Sequence, residues 1–191
     1  MELFHTLRSR LGERGVIAED LGTMTEGVRR LVRDSGFPNM KVLEFAFDAR
    51  DTGSANDYLP HNYVENCVAY TGTHDNETLR GWLASADKKA LKYAKKYLRV
   101  SKKSHIPDAM VAACWQSIAE LAVAQMQDFL HEDSTCRMNT PSVLGGNWQY
   151  RTESTDFTPE LAASIRKLNR TYGRNVQVTE TEEASCMQQV M

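Results

Sequence analysis

The chain has 191 residues, 25 of them acidic and 23 basic, for a formal net charge of -2. Hydrophobic residues are 41% and charged residues 25%, which supports a packed core and excludes wholesale disorder, since that needs low hydrophobicity with high net charge. One ordinary domain fits the length, no basic excess is available to neutralise the phosphates of a nucleic acid, and no apolar run approaches the ~18 residues of a membrane span.

The first residues, MELFHTLRSRL, alternate charge with apolar side chains and lack a continuous apolar stretch. They do not read as a secretory signal, so a cytoplasmic location is expected. Leu3, Phe4, Leu7 and Leu11 have helical spacing, closed by Gly12 and Gly15. Val16-Ile17-Ala18 is a short apolar run, read as a buried strand. Thr25 suits an N-cap for a helix with Val28, Leu31 and Val32 on one face, stopped by Gly36 and Pro38.

Residues 40–47, MKVLEFAF, read as a strand, and residues 48–65, rich in turn formers, as a long loop. Cys67-Val68-Ala69-Tyr70-Thr71 is the next strand and runs directly into Gly72-Thr73-His74-Asp75-Asn76. Helices are expected over 78–86 and 87–100. The second has Leu91, Tyr93, Ala94, Tyr97 and Leu98 inward and Lys88, Lys89, Lys92, Lys95 and Lys96 on a solvated face.

Asp108 opens a helix with Met110, Val111, Cys114, Trp115 and Ile118 on its buried side. Residues 121–126 either continue it or form a strand; periodicity alone does not decide. Residues 131–152 read as loop, 159–172 as a final helix, and 175–191 as a polar, acidic, disordered tail. The four cysteines, Cys67, Cys114, Cys136 and Cys186, form no CxxC pair. They read as free thiols in a reducing compartment and not as a zinc site.

Strand–helix alternation argues for an α/β fold with a parallel sheet. Polar residues cluster just after the strand ends: Glu19-Asp20, His74-Asp75-Asn76 and Gln127-Asp128. Sites in parallel α/β folds are built on that edge. Glu19 and Asp75, carboxylates at the ends of different strands, form a candidate acid/base or stabilising pair. Glu19 follows three apolar residues, so partial desolvation is expected, as suits a general acid. His74 and Asn76 flank Asp75 and could hydrogen-bond a polyhydroxylated ligand. The alternatives are that Asp75 and Asn76 cap the following helix and that Glu19 makes a strand-end salt bridge. Tyr58, Tyr63, Tyr70, Trp82, Trp148 and Tyr150 lie near the loops as sugar platforms or as core. The GGNW segment at 145–148 suits a tight turn with close backbone approach; no GK[ST] follows it, so it is not a phosphate loop.

Four stretches carry a specific resemblance: IAEDLGTMTEGVRRL at 17–31; GFPNMKVLEFAF at 36–47 with YLPHNY at 58–63; VAYTGTHDNETLRGW at 68–82; and QDFL at 127–130 leading to RMNTP at 137–141 and GGNWQYR at 145–151. In this order they resemble the 4-alpha-glucanotransferases (amylomaltases, or disproportionating enzymes). The resemblance implies a (β/α)8 barrel of the alpha-amylase-like type, of which residues 1–174 are the C-terminal half, strands five to eight; a complete barrel takes about 250 residues. It implies transfer of alpha-1,4-glucan segments between maltooligosaccharides by a retaining mechanism, with no metal or organic cofactor. Glu19 becomes the general acid/base and Asp75 the transition-state stabiliser. His74 binds the same sugar as Asp75. Asn76 also contacts substrate, and Phe45 and the 137–142 loop with Asn139 lie toward the acceptor.

The family's nucleophile, an aspartate on strand four, has no match before Glu19, so the missing N-terminal half is a candidate partner. The chain departs from the family at Asn39 and Ser142, where glycine is usual, and at Glu44, where glutamine is usual. A rival reading is a non-catalytic carbohydrate-binding or assembly fragment. A generic hydrolase on another parallel sheet is disfavoured by the ordered motifs.

Overall fold

A computed structural model describes residues 1–174 apart from 13, 23 and 48–54. The tail expected over 175–191 and the first part of the loop expected over 48–65 lie outside the described residues. The chain divides into two units, Met1–Asp156 and Phe157–Met191.

In the first unit α1 (Glu2–Leu11) and α2 (Glu26–Ser35) precede β1 (Asn39–Val42) and β2 (Cys67–Tyr70). Then come α3 (Leu79–Ser85), α4 (Lys88–Tyr97), α5 (Ile106–Gln116), β3 (Leu121–Val123) and the single turn α6 (Met126–Phe129). The strands form one parallel sheet in the order β1-β2-β3. Met40 pairs with Val68, and Val68 with Leu121. Parallel neighbours need crossovers, and α3, α4 and α5 provide the one between β2 and β3.

The helix boundaries have local causes. Thr25 Oγ1 accepts from the Val28 N–H at 3.3 Å to start α2, and Gly36, at φ 71°, ends it in the left-handed region that glycine occupies freely. Thr78 Oγ1 accepts from Gly81 to open α3, and the Asp87 carboxylate accepts from Lys89 and Ala90 to open α4. On α4, Ala90 and Ala94 are buried, Tyr93 and Tyr97 pack on Phe47, and Lys88, Lys89, Lys92 and Lys96 are exposed.

Several expectations change. The 16–18 strand reduces to one parallel bridge between Ala18 and Asn39, and Val16 and Ile17 are exposed. The 40–47 strand is extended only as far as Val42. Leu43–Phe47 then winds into a 3-10 helix that buries Leu43, Glu44, Ala46 and Phe47, and period-2 reading cannot see this because Leu43, Phe45 and Phe47 alternate as they would in a strand. Helix α5 begins at Ile106, with Pro107 in the first turn where its missing N–H costs nothing. Ile118 lies beyond its end and is 62% exposed. Residues 121–123 are a strand. The apolar faces of α1 and α2, with Leu3, Leu7, Leu11, Val28 and Leu31, are exposed as well.

The core sits between the sheet and α3–α5. Val42, Leu43, Phe47, Val68, Leu79, Ile106 and Met110 are fully buried there. Cys67 and Cys114 are buried and Cys136 is partly exposed, with no disulfide among the described residues; Cys186 lies outside the described residues. Among the described residues no helix is long and apolar enough to cross a membrane. The described part of the second unit is α7 (Pro159–Thr171), opened by Thr158 Oγ1 accepting from Leu161 at 3.1 Å.

Candidate functional site

The C-terminal ends of the parallel strands open into a cleft of about 600 Å³. Glu19 enters it from the Ala18 bridge, Phe45 from the 3-10 turn after β1, and His74, Asp75 and Asn76 from the turn after β2. Tyr70, Gln125 and Pro141 complete the wall. Asn139 stands behind Asp75, donating from Nδ2 to Asp75 Oδ1 at 2.5 Å and from its backbone N–H to the His74 carbonyl at 3.1 Å. All six residues selected from the sequence therefore meet at this one place.

Adjacent residues of an extended segment face opposite ways, and this separates Glu19 from Asp20. Asp20 turns toward β1, where Oδ1 accepts from the Met40 N–H and Oδ2 from Asn39 Nδ2, both at 3.0 Å. Glu19 lines the cleft and is exposed, as are the apolar residues Val16 and Ile17 before it. The desolvation expected from that apolar run is therefore not present in this chain.

The turn after β2 is internally bonded. The Thr73 N–H and hydroxyl both donate to Asn76 Oδ1, at 2.9 and 2.8 Å, and the Asp75 N–H donates to Thr73 Oγ1 at 3.2 Å. Asn76 thus closes its own turn, while Thr78 caps the helix; the capping alternative for Asp75 and Asn76 does not hold. Asp75 Oδ1 lies 3.4 Å from His74 Nε2, and both side chains are half-exposed.

The 137–148 loop lies over this turn. The Arg137 guanidinium donates to Glu77 Oε1 and the Asp75 carbonyl, each at 2.6 Å, and to the Asn139 carbonyl at 2.8 Å. Asn147 pins the loop by accepting from the Thr140 N–H and donating to the Val143 carbonyl. Gly145 and Gly146, both at positive φ, bring Trp148 round against His74, with ring centroids 5.0 Å apart.

Two carboxyls lie beneath the turn. Asp128 accepts from the Thr71 hydroxyl at 2.7 Å and the Leu79 N–H at 2.8 Å; burial outweighs these bonds and pushes its pKa up. Glu44 is also buried and is raised well above the usual carboxyl range by desolvation, with Asp128 and Glu77 adding to the effect. Among the described residues no group of three or more His, Cys, Asp or Glu side chains could hold a metal ion.

The sequence reading missed Gln125, the clamping role of Arg137 and the burial of Glu44. Gln125 had a usable signal: it stands two residues past β3, on the same edge as Glu19 and Asp75. A larger cavity of about 870 Å³, between α2, β1 and residues 55–66, holds none of the candidate residues.

The sequence pattern of the 4-alpha-glucanotransferase family (glycoside hydrolase 77) matches residues 1–156. A 4-alpha-glucanotransferase of Clostridium butyricum is 42% identical over 175 residues, covering 91% of this chain and 35% of that protein. The chloroplastic/amyloplastic 4-alpha-glucanotransferase of Solanum tuberosum is 38% identical over 175 residues, covering 90% of this chain and 30% of that one. Among solved structures, an amylomaltase from Streptococcus agalactiae in complex with acarbose superposes with a TM-score of 0.85 at 36% identity, over 92% of this chain and 35% of that one. The chain spans about a third of the length of the curated relatives it matches. The matched pattern takes in every element that builds the cleft, and the chain belongs to the 4-alpha-glucanotransferase family.

Proposed function

We propose that this chain supplies the acid/base and stabilising side of an alpha-1,4-glucan transfer site. In this reading residues 1–174 are strands five to eight of a (β/α)8 barrel, and the nucleophilic aspartate belongs to the part of the family's chain that precedes strand five. The observation that carries the reading is the convergence of Glu19, His74 and Asp75 on one cleft at the C-terminal strand ends. The relative crystallised with acarbose adds support for a glucan-like ligand.

Glu19 gives its proton to the glycosidic oxygen as the nucleophile takes the anomeric carbon, and the leaving glucan departs neutral. An acceptor 4-hydroxyl then attacks that carbon, freeing the nucleophile's carboxylate, and its proton returns to Glu19. Asp75, held by Asn139, hydrogen-bonds the hydroxyls of the sugar whose ring gains positive charge. Those bonds strengthen as the charge develops. His74 binds the same sugar, Asn76 fixes the turn, and Phe45 offers an apolar surface toward the acceptor.

The test is glucose release from maltotriose, by the chain alone and by the chain fused behind the first two-thirds of the C. butyricum relative. The chain alone is expected to be inactive, because no covalent glycosyl intermediate can form without the nucleophile. The fusion is expected to turn over at ~1–10³ per second, with Glu19→Gln lowering the rate by ~10²–10⁴. A folded fusion that binds acarbose without turnover would replace this reading with that of a carbohydrate-binding module.

A further inference from the structure

Glu44 is a buried carboxyl that the proposed mechanism does not use. It is 7% exposed, in the 3-10 turn after β1, and its backbone N–H donates to the Thr71 carbonyl at the end of β2 at 3.2 Å. Its side chain reaches the turn that carries the site. A Cβ on Gly72 would stand 2.9 Å from Glu44 Oε1, 3.1 Å from Asn76 Cβ and 3.2 Å from Gln125 Nε2. Glycine is what lets the carboxyl come this close. Glu44 Oε1 itself is buried with no hydrogen-bond partner. Gln125 Nε2 donates to the Glu77 carbonyl at 3.0 Å.

Residues 72–77 are therefore supported from below by Glu44 and Gln125, and tied from above by Arg137 and Asn139. We propose that Glu44 is a positioning residue for this site: its buried carboxyl props the 72–77 turn and so fixes where His74 and Asp75 stand in the cleft. What the cleft binds rests on the glucan reading above; the propping does not.

The groups around Glu44 favour its neutral form. Asp128 faces it from α6 and Glu77 from the turn itself, both acidic, and β2 and Gln125 present no charge. Arg137 is the cation within range, and its guanidinium is already bonded to Glu77, Asp75 and Asn139. Burial, the largest effect, acts in the same direction as the two acids. A carboxyl whose folded pKa is raised contributes its full stability below the unfolded value, and that contribution is lost as pH rises toward the folded value. Opening of the turn exposes Glu44 to water and lets it ionise, so opening becomes easier as pH rises. A neutral amide of the same shape has no such dependence.

The test is hydrogen–deuterium exchange of peptides spanning 72–77 in the 191-residue chain, corrected for intrinsic rates, at pH 5 and pH 8. Wild type is expected to lose protection between the two pH values, whereas Glu44→Gln keeps it. Glu44→Leu, whose branched side chain cannot reproduce the carboxyl's approach to Gly72, is expected to lose about tenfold at both. Faster exchange in Glu44→Gln than in wild type at pH 8 overturns the proposal, as does wild-type protection in Glu44→Leu. If Glu44→Leu fails to fold, the Glu44→Gln comparison decides alone. Acarbose binding by fusions that carry the same substitutions separates the two readings, since the chain alone holds one side of the proposed site. The expected exchange pattern with no acarbose bound anywhere defeats the glucan reading and leaves Glu44 in place. Equal binding with no effect of either substitution on exchange defeats Glu44 and leaves the glucan reading.

Discussion

Asp75 and Glu19 occupy the same cleft under different constraints. Asp75 is gripped: Asn139 bonds its carboxylate, Arg137 bonds its carbonyl and Thr73 accepts its N–H. Glu19 is exposed at the end of a single bridge. A gripped carboxylate suits a stabiliser, and an exposed one can exchange its proton with donor and acceptor. In the fused enzyme, Glu19→Gln should therefore lose most activity with donors that need a proton on the leaving oxygen, and recover part of its first step with glucosyl fluoride. Asp75→Asn should lose a similar factor with both kinds of donor, because its bonds strengthen with charge on the sugar ring. Plotting transfer rate against leaving-group pKa distinguishes the two; rescue of Asp75→Asn but not of Glu19→Gln reverses the roles. That Glu19, His74 and Asp75 would share one strand-end cleft was legible because they come shortly after the apolar segments 16–18 and 67–70. Arg137 was not, since its partner Asp75 lies 62 residues away and no local pattern announces such a pairing.

The elements most readable in the sequence were those with local punctuation: α2 between Thr25 and Gly36, α4 after Asp87, α7 after Thr158. The transition from β1 to the 3-10 turn was hidden because the turn is imposed by packing, with the Glu44 N–H bonded to Thr71 on the neighbouring strand. The 137–148 loop was readable only as a loop; its shape depends on bonds from Arg137 and Asn147. It also carries a local cost. Ser142 adopts φ 65°, a region where a β-carbon is crowded. Ser142→Gly is expected to relieve that strain and stabilise the chain by up to about 1 kcal/mol, read from the urea midpoint. A lower midpoint would show that the serine earns its place through a contact.

On the scale of the whole molecule, the described sheet has two open sides. Ala18 contributes one bridge beyond β1, and β3 pairs only with β2 among the described residues. The apolar surface is left uncovered near both sides, with Leu3, Leu7, Leu11, Val28 and Leu31 on one and Ile118, Leu121 and Val123 on the other. Unpaired edges flanked by apolar side chains invite association. The chain alone should self-associate in light scattering and melt broadly, and the fusion should be monodisperse. A sharp cooperative melt from a monomer of the isolated chain would contradict the half-barrel reading. The class of fold was legible from strand–helix alternation. The exposure of α1 and α2 was not, because an amphipathic helix announces a buried face without naming what buries it.

Trp148 gives the site an optical signature. It is 55% exposed, whereas Trp115 is buried and Trp82 half-buried, and its indole lies against the His74 ring. An imidazole in contact with an excited indole quenches it, so emission from Trp148 should follow any movement of His74. Soluble quenchers such as acrylamide should reach this tryptophan first, and acarbose in the cleft should change both its intensity and its accessibility. Trp148→Phe should abolish that response while leaving the two inner tryptophans emitting. Occupancy of the cleft can then be followed by light alone, without any need for turnover.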